Sequence, residues 1–323
     1  MLVSILLFLL SLLLLIKGGD WLVDGATAIA RRLKMSELLI GATVVSIGTT
    51  LPEVMVSASS ALSGHGEIAY GNAIGSIICN TALIAALTIA VRPGKVNRKS
   101  FKLPVLFFFL AATVYLLAAY LLGSFPRLIG LLLLLLFVSY LLLSVRQAKA
   151  EEKTDNPSPV SDIPSPKSPL YREILFLILG AVLIAIGADL LVENGTKIAG
   201  WMGVPESVIA LTFVALGTSL PELVTAIVSL VKGHGSLSLG NVIGANFFNL
   251  ALVTGLSSLL SPFEIPASQT LLGINRSLLL DLPVMVLVMV FLTLPALKKG
   301  KLSRVQGILL LILYLLFCLL QFL

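Results

Sequence analysis

The sequence predicts an all-α integral membrane protein, ten transmembrane helices arranged as two inverted five-helix repeats. Three observations carry that prediction. Of its 323 residues 58% are hydrophobic and only 12% charged, about half the charge of an ordinary soluble domain. Its apolar runs reach the roughly 20 residues a helix needs to cross a bilayer; runs such as 131–136, all leucine, lack the alternation of a barrel strand. Finally, residues 43–53, TVVSIGTTLPE, return 169 positions later as residues 212–222, TFVALGTSLPE, with seven of eleven positions identical.

The first apolar run, 2–20, reads as a retained helix and not a cleaved signal. No Lys or Arg precedes it, and Gly18-Gly19-Asp20-Trp21 has a counterpart in Gly187-Ala188-Asp189-Leu190. Spans two and three, 39–63 and 69–91, flank a turn at Gly64-His65-Gly66. Spans four and five, 103–123 and 125–145, are apolar throughout most of their length. Residues 151–169, EEKTDNPSPVSDIPSPKSP, are the one stretch dense in Pro, Ser and charge. Such a composition cannot build a packed core and reads as a flexible connector. The chain therefore divides into a first unit at 1–145, a connector at 146–169 and a second unit at 170–323.

Spans six to ten, at 171–190, 208–231, 238–260, 277–296 and 303–323, repeat the order of the first five. The register holds without a gap: Gly233-His234-Gly235 matches Gly64-His65-Gly66, Gly240-Asn241 matches Gly71-Asn72, and Asn249 matches Asn80. An odd number of spans per unit inserts the second copy upside down. The halves are then related by a pseudo-twofold axis in the membrane plane, as in many secondary transporters.

Charge sets the orientation. Of the 22 Lys and Arg residues, 18 fall in loops or flanks on one side, among them Arg31, Arg32, Arg92, Lys95, Arg146, Lys232, Lys298 and Arg304. The positive-inside rule puts that side in the cytoplasm and both termini outside. The net charge of +6 belongs to these loops, so no nucleic-acid partner is needed to explain it. Cys79 and Cys318 both lie in apolar runs, which gives a disulfide framework no support.

Glu53 and Glu222 each sit inside an apolar run, with no basic residue mid-span to pair with them. An unpaired acid at the bilayer centre costs about 2.5–3.5 kcal/mol on insertion scales. Pro52 and Pro221 lack an N–H and crowd the carbonyls of Gly48 and Gly217, so each helix is expected to break or bend there. Freed carbonyls, the hydroxyls of Thr49, Thr50, Thr218 and Ser219, and one carboxylate per copy then converge. These oxygen donors suit Na⁺ or a hard divalent ion such as Ca²⁺. In spans three and eight, Asn80 and Asn249 each offer an amide oxygen to the site or a hydrogen bond between helices. Ser76 shares the face of Asn72 and Asn80; Asn72 and Asn241, nearer the helix starts, suit capping at least as well.

At these residues the chain resembles the cation/Ca²⁺ exchanger superfamily, most of all its prokaryotic Na⁺/Ca²⁺ exchanger branch. The two repeats of that family carry a G-T-[ST]-L-P-E segment followed by a G-N-x-x-G-[ST]-N-x-x-[ND] segment. The resemblance implies a diamond of four ion sites between the second, third, seventh and eighth helices. It assigns ligand roles to Glu53, Glu222, Thr49, Thr50, Thr218, Ser219, Ser76, Asn80 and Asn249, and backbone carbonyl roles to Ser46 and Ala215. It also implies a secondary antiporter of the cytoplasmic membrane with Na⁺ and Ca²⁺ as substrates, no prosthetic group, lipid as its surroundings and function as a monomer. The first and sixth spans are expected to slide past a fixed core. Where the archaeal branch has serine and aspartate in the eighth helix, this chain has Ala245 and Asn249.

Other features read more plainly. Asp20 and Asp189, with Asp24 and Glu193 one turn on, are expected to cap or solvate helix ends. His65 and His234 mark turns on opposite sides and cannot share a metal. Trp21, Trp201, Tyr70 and Tyr171 suit interfacial anchors. Ca²⁺/H⁺ antiport competes with sodium coupling. A cation channel is less favoured because a channel has no need of two half-sites, and an intramembrane metalloenzyme lacks its histidines.

Overall fold

A computed structural model describes residues 2–33, 35–153, 169–202, 217–266, 270–271 and 274–321. Within them the first unit supplies α1 (Leu2–Arg32), α2 (Glu37–Leu62), α3 (Gly66–Val91), α4 (Arg98–Leu122) and α5 (Arg127–Lys153). The second supplies α6 (Leu170–Trp201), α7 (Leu220–Val231), α8 (Gly235–Leu260), α9 (Ser277–Lys299) and α10 (Arg304–Leu320). Among the described residues eight helices are long and apolar enough to cross a membrane, and α7 and α10 are apolar but shorter. The chain is an all-α, multi-spanning membrane protein.

The loops that charge groups together do meet. Lys95, after α3, forms a backbone bridge with Lys301, after α9. Arg32, at the end of α1, forks onto Glu173, at the start of α6, at 2.9 and 3.0 Å. On the other side β1 (Ser124–Phe125), after α4, pairs antiparallel with β2 (Phe263–Glu264), after α8. A second short hairpin, β3 (Thr270–Leu271) with β4 (Ile274–Asn275), precedes α9.

Several expectations need correction. The first and sixth spans do not end near residues 20 and 190; α1 and α6 continue to Arg32 and Trp201. Polar residues interrupt the apolar run without interrupting the helix. Asp20 and Asp24 are therefore mid-helix, and both form ion pairs with Lys232, at 3.2 and 2.7 Å. At 31 residues α1 is roughly 46 Å long, well beyond the hydrocarbon thickness of about 30 Å. Helix α5 runs to Lys153, into the stretch read as connector; residues 154–168 of that stretch lie outside the described residues.

Pro52 does not break its helix. Residues Ser46–Leu62 are α-helical through it, and the distortion sits about two to three turns earlier as a π-helical stretch at Gly41–Val45. Helix α2 packs one face against other helices while Leu51 and Met55 stay exposed, and packed neighbours tolerate one lost backbone bond. The second copy differs: residues 217–219 form a turn and α7 starts at Leu220, with Pro221 in the first turn. There the missing N–H would have had no helical partner anyway. The start of the expected seventh span lies outside the described residues.

Burial ranks the helices. In the most apolar stretch of α8 83% of residues are buried, against 22% in α1 and in α6, so α8 is central and that pair peripheral. An aromatic cluster of Phe107, Tyr140, Phe247 and Phe248 packs α4 and α5 onto α8. Tyr70 belongs to that core too: it is 2% exposed and tilts against Tyr115 at 6.3 Å, so it is no interfacial anchor. Trp201 and Tyr171 are exposed. Helices α1 and α6 approach through small residues. A Cβ on Gly18 would lie 2.9 Å from the Gly180 carbonyl, and one on Gly187 would lie 3.1 Å from that of Ser11. In the repeat register Gly18 matches Gly187 and Ser11 matches Gly180, so the same contact is made twice.

Candidate ion-binding site

All six pairings among α2, α3, α7 and α8 are in contact. The tightest seam joins α2 to α8. A Cβ on Gly240 would overlap the Leu38 carbonyl, and one on Gly244 would overlap the Ser46 hydroxyl. Small residues thus let two backbones meet, as they do between membrane helices generally. Polar groups then fasten the seam: the hydroxyls of Ser46 and Thr49 donate to Asn241 Oδ1, each at 3.2 Å. Between α2 and α3, Asn72 donates to the Glu53 carbonyl at 3.2 Å and to Ser57 Oγ at 2.9 Å. Asn72 and Asn241 therefore tie helices together and do not cap them.

Asn80 and Asn249 behave in the opposite way. Each opens a π-helical stretch of six residues, Asn80–Ala85 in α3 and Asn249–Thr254 in α8. Each is fully buried, and neither its amide oxygen nor its amide nitrogen has a hydrogen-bond partner. One extra residue per turn re-aims the side chains that follow, and such bulges occur frequently at functional sites. The sequence motif located both asparagines, but nothing in residue type or spacing announced the π geometry.

Both carboxylates share this condition. Glu53 lies midway along α2 and Glu222 in the first turn of α7; both are 0% exposed, with all four oxygens lacking hydrogen-bond partners. They are close enough to act on each other electrostatically. Thr49 and Thr50 of the first copy approach the Glu222 carboxylate of the second, outside hydrogen-bond geometry. Thr50 Oγ1 and Ser219 Oγ are likewise buried without partners. Ser219 occupies the N-cap position of α7, where a serine ordinarily caps the first turn, yet its hydroxyl makes no cap bond. Ser76 is buried in α3, and Thr218 is half-buried in the turn before α7. Ala215 falls outside the described residues.

Buried polar atoms are nearly always satisfied, so these free oxygens on four mutually packed helices need a chemical reason. Among the described residues no ion pair involves Glu53 or Glu222. No group of three His, Cys, Asp or Glu that could hold a metal occurs among them either. His234 instead pairs with Glu37 at 2.7 Å, away from the centre. It and His65 each follow a left-handed glycine, Gly233 and Gly64. The centre is a set of hydroxyls, amides and two carboxylates, suited to hard cations that come and go.

Comparison with known proteins agrees with this chemistry. The profile of the family described as sodium/calcium exchanger protein matches residues 3–146 and 172–323. An uncharacterized membrane protein of Methanocaldococcus jannaschii is 36% identical over 310 residues, covering 95% of this chain and 94% of its own length. The sodium/calcium exchanger MaX1 of Methanosarcina acetivorans is 29% identical over 353 residues, covering 99% of each. The solved structure of the sodium-calcium exchanger NCX_Mj, soaked with Na⁺ and Sr²⁺, superposes with a TM-score of 0.79 at 33% identity, covering 98% of this chain and 97% of the other.

Proposed function

From the premise that this chain belongs to the sodium/calcium exchanger protein family, we infer that Na⁺ and Ca²⁺ exchange at the buried centre between α2, α3, α7 and α8. The protein is a secondary antiporter and not an enzyme. One observation carries the assignment of the site: both carboxylates, both amides and two hydroxyls are buried there without hydrogen-bond partners. A bound cation answers the carboxylate, amide and hydroxyl oxygens at once. Glu53 and Glu222 together supply a charge of −2, which one Ca²⁺ or two Na⁺ neutralise. Thr49, Thr50, Ser76, Asn80, Thr218, Ser219 and Asn249 supply neutral oxygens, with the carbonyls of Ser46 and Ala215 completing the set.

The two units, 1–145 and 170–323, act as inverted halves around this centre, joined by the connector at 146–169. The basic loops face the cytoplasm and both termini lie outside. Helices α1 and α6, glycine-lined and peripheral, slide past the core to alternate access. In sealed vesicles calcium uptake is expected to require an opposing sodium gradient. Proton coupling is the second reading, favoured by Ala245 and Asn249, which remove one hydroxyl and one carboxylate from the family's set of ligands. Uptake that ignores sodium and follows a pH gradient assigns the exchange to protons.

A further inference from the structure

On the face that carries the basic loops, a cavity of about 210 Å³ opens between the end of α3, the start of α8 and the loop from α9 to α10. Arg92 and Lys95 line one wall; Gly235, Ser236 and Ser238, in the first turn of α8, line another. Helix α8 begins without a side-chain cap, because His234 at the N-cap position turns its ring to Glu37. The N–H groups of Leu237 and Ser238 bond to the His234 carbonyl, so the donors facing outward are those of Gly235 and Ser236. An uncapped helix start of this kind attracts anions.

Ser238 is an independent sign of a ligand. It is 2% exposed and its hydroxyl has no hydrogen-bond partner. Electrostatics agree. Residues 86–102, 229–240 and 296–306, which supply all of the lining except Leu38, contain no Asp or Glu, while Arg92, Lys95, Arg98, Lys301 and Arg304 are among their basic residues. Glu37, beside Leu38, is engaged by His234. Two of these are anchored to the framework: Arg92 donates to the Leu230 carbonyl and Arg304 to that of Val91, each at 3.3 Å.

The repeat provides an internal control. Its register lays Ser236 and Leu239 onto Glu67 and Tyr70, which line a cavity of about 340 Å³ on the opposite face together with Asp281 and Arg276. The position in the fold is the same, but two carboxylates line that cavity where this one has none. Duplication therefore does not account for the basic lining.

We propose that the cavity beside Arg92 and Lys95 binds a phosphate group, carried on the headgroup of an anionic phospholipid or free in solution. The two basic side chains, the first-turn N–H groups of α8 and the Ser238 hydroxyl donate to its oxygens. A bound phosphate ties α3 to α8, the two helices that carry Asn80 and Asn249.

The full-length protein, purified in detergent, tests this by titration with dioctanoyl phosphatidate, inorganic phosphate and dioctanoylglycerol, the last having the same chains without phosphate. Phosphatidate is expected to bind and to raise the unfolding temperature, and dioctanoylglycerol to do neither. Arg92→Ala with Lys95→Ala weakens binding by about tenfold or more, and Ser238→Ala weakens it less. Ser236→Asp, at an exposed position and copying Glu67 of the other cavity, abolishes binding even if the double variant folds poorly. Inorganic phosphate that binds as tightly as phosphatidate assigns the site to the free anion; binding of phosphatidate alone assigns it to the headgroup. No binding of either, binding unchanged in Ser236→Asp, or equal binding of dioctanoylglycerol overturns the proposal.

Discussion

The two halves of the buried centre hold the same carboxylate in different settings. Glu53 lies midway along a continuous helix, whereas Glu222 stands in the first turn of α7 beside an uncapped Ser219. A helix start carries roughly half a positive charge, which favours a nearby carboxylate. The half with that advantage is also the half with fewer candidate oxygen ligands, having Ala245 and Asn249 opposite Ser76 and Asn80. Helix geometry and side-chain ligands thus offset one another across the pseudo-twofold axis. The lesson is that equivalent positions in a duplicated site need not do equal work.

The largest expected effect removes the comparison altogether. Glu53→Gln and Glu222→Gln each leave a centre of charge −1 for an ion of charge +2. Calcium flux in reconstituted vesicles should fall about 100-fold or more, the ratio that corresponds to about 3 kcal/mol. Glu53→Gln transporting calcium like the parent would remove this centre from the mechanism.

Next comes restoring the weaker half. Asn249→Asp, alone and with Ala245→Ser, returns a carboxylate and a hydroxyl to α8. Calcium affinity measured by calorimetry should rise about tenfold, and the sodium dependence of transport should steepen. An unchanged affinity and Hill coefficient would take Asn249 out of the ligand set while leaving the two glutamates in it.

A smaller change loosens the seam beneath the site. Asn241→Ala removes the acceptor of Thr49, while Ser46 keeps the carbonyls of Gly41 and residue 241, a loss of about 1–3 kcal/mol of stability at full burial. The unfolding temperature should fall while sodium selectivity is retained. The smallest pair sets Thr50→Ala against Ser219→Ala, one free hydroxyl from each half. Each should weaken cation binding by a few-fold, a net value of about 1 kcal/mol or less. A larger loss for Ser219→Ala would fit the half that has fewer ligands to spare.

Much of this molecule was legible as sequence. Apolar runs separated by basic loops gave ten helices, because lipid offers backbone groups no partner and forces them into helix. The register of 169 residues gave the inverted duplication, and acids without bases in apolar runs gave Glu53 and Glu222. Those inferences depend on local composition and on the bilayer, both present in the chain itself.

Other features were decided only by packing. The length of α1 escaped a hydropathy reading because Asp20 and Asp24 find Lys232, 212 and 208 positions away. Pro52 inside an unbroken helix and the π-helical stretches at Gly41, Asn80 and Asn249 appear only in the fold. There the Tyr140 hydroxyl of α5 donates to the Ala42 carbonyl, and the Thr254 hydroxyl donates to the Asn249 carbonyl of its own helix. The roles of the four asparagines also divided in three dimensions. Asn72 and Asn241 found partners across helix seams, while Asn80 and Asn249 were left facing none. Residue type sets what a side chain can donate or accept; only the assembled neighbours determine whether that capacity is spent within the protein or left for a passing ion.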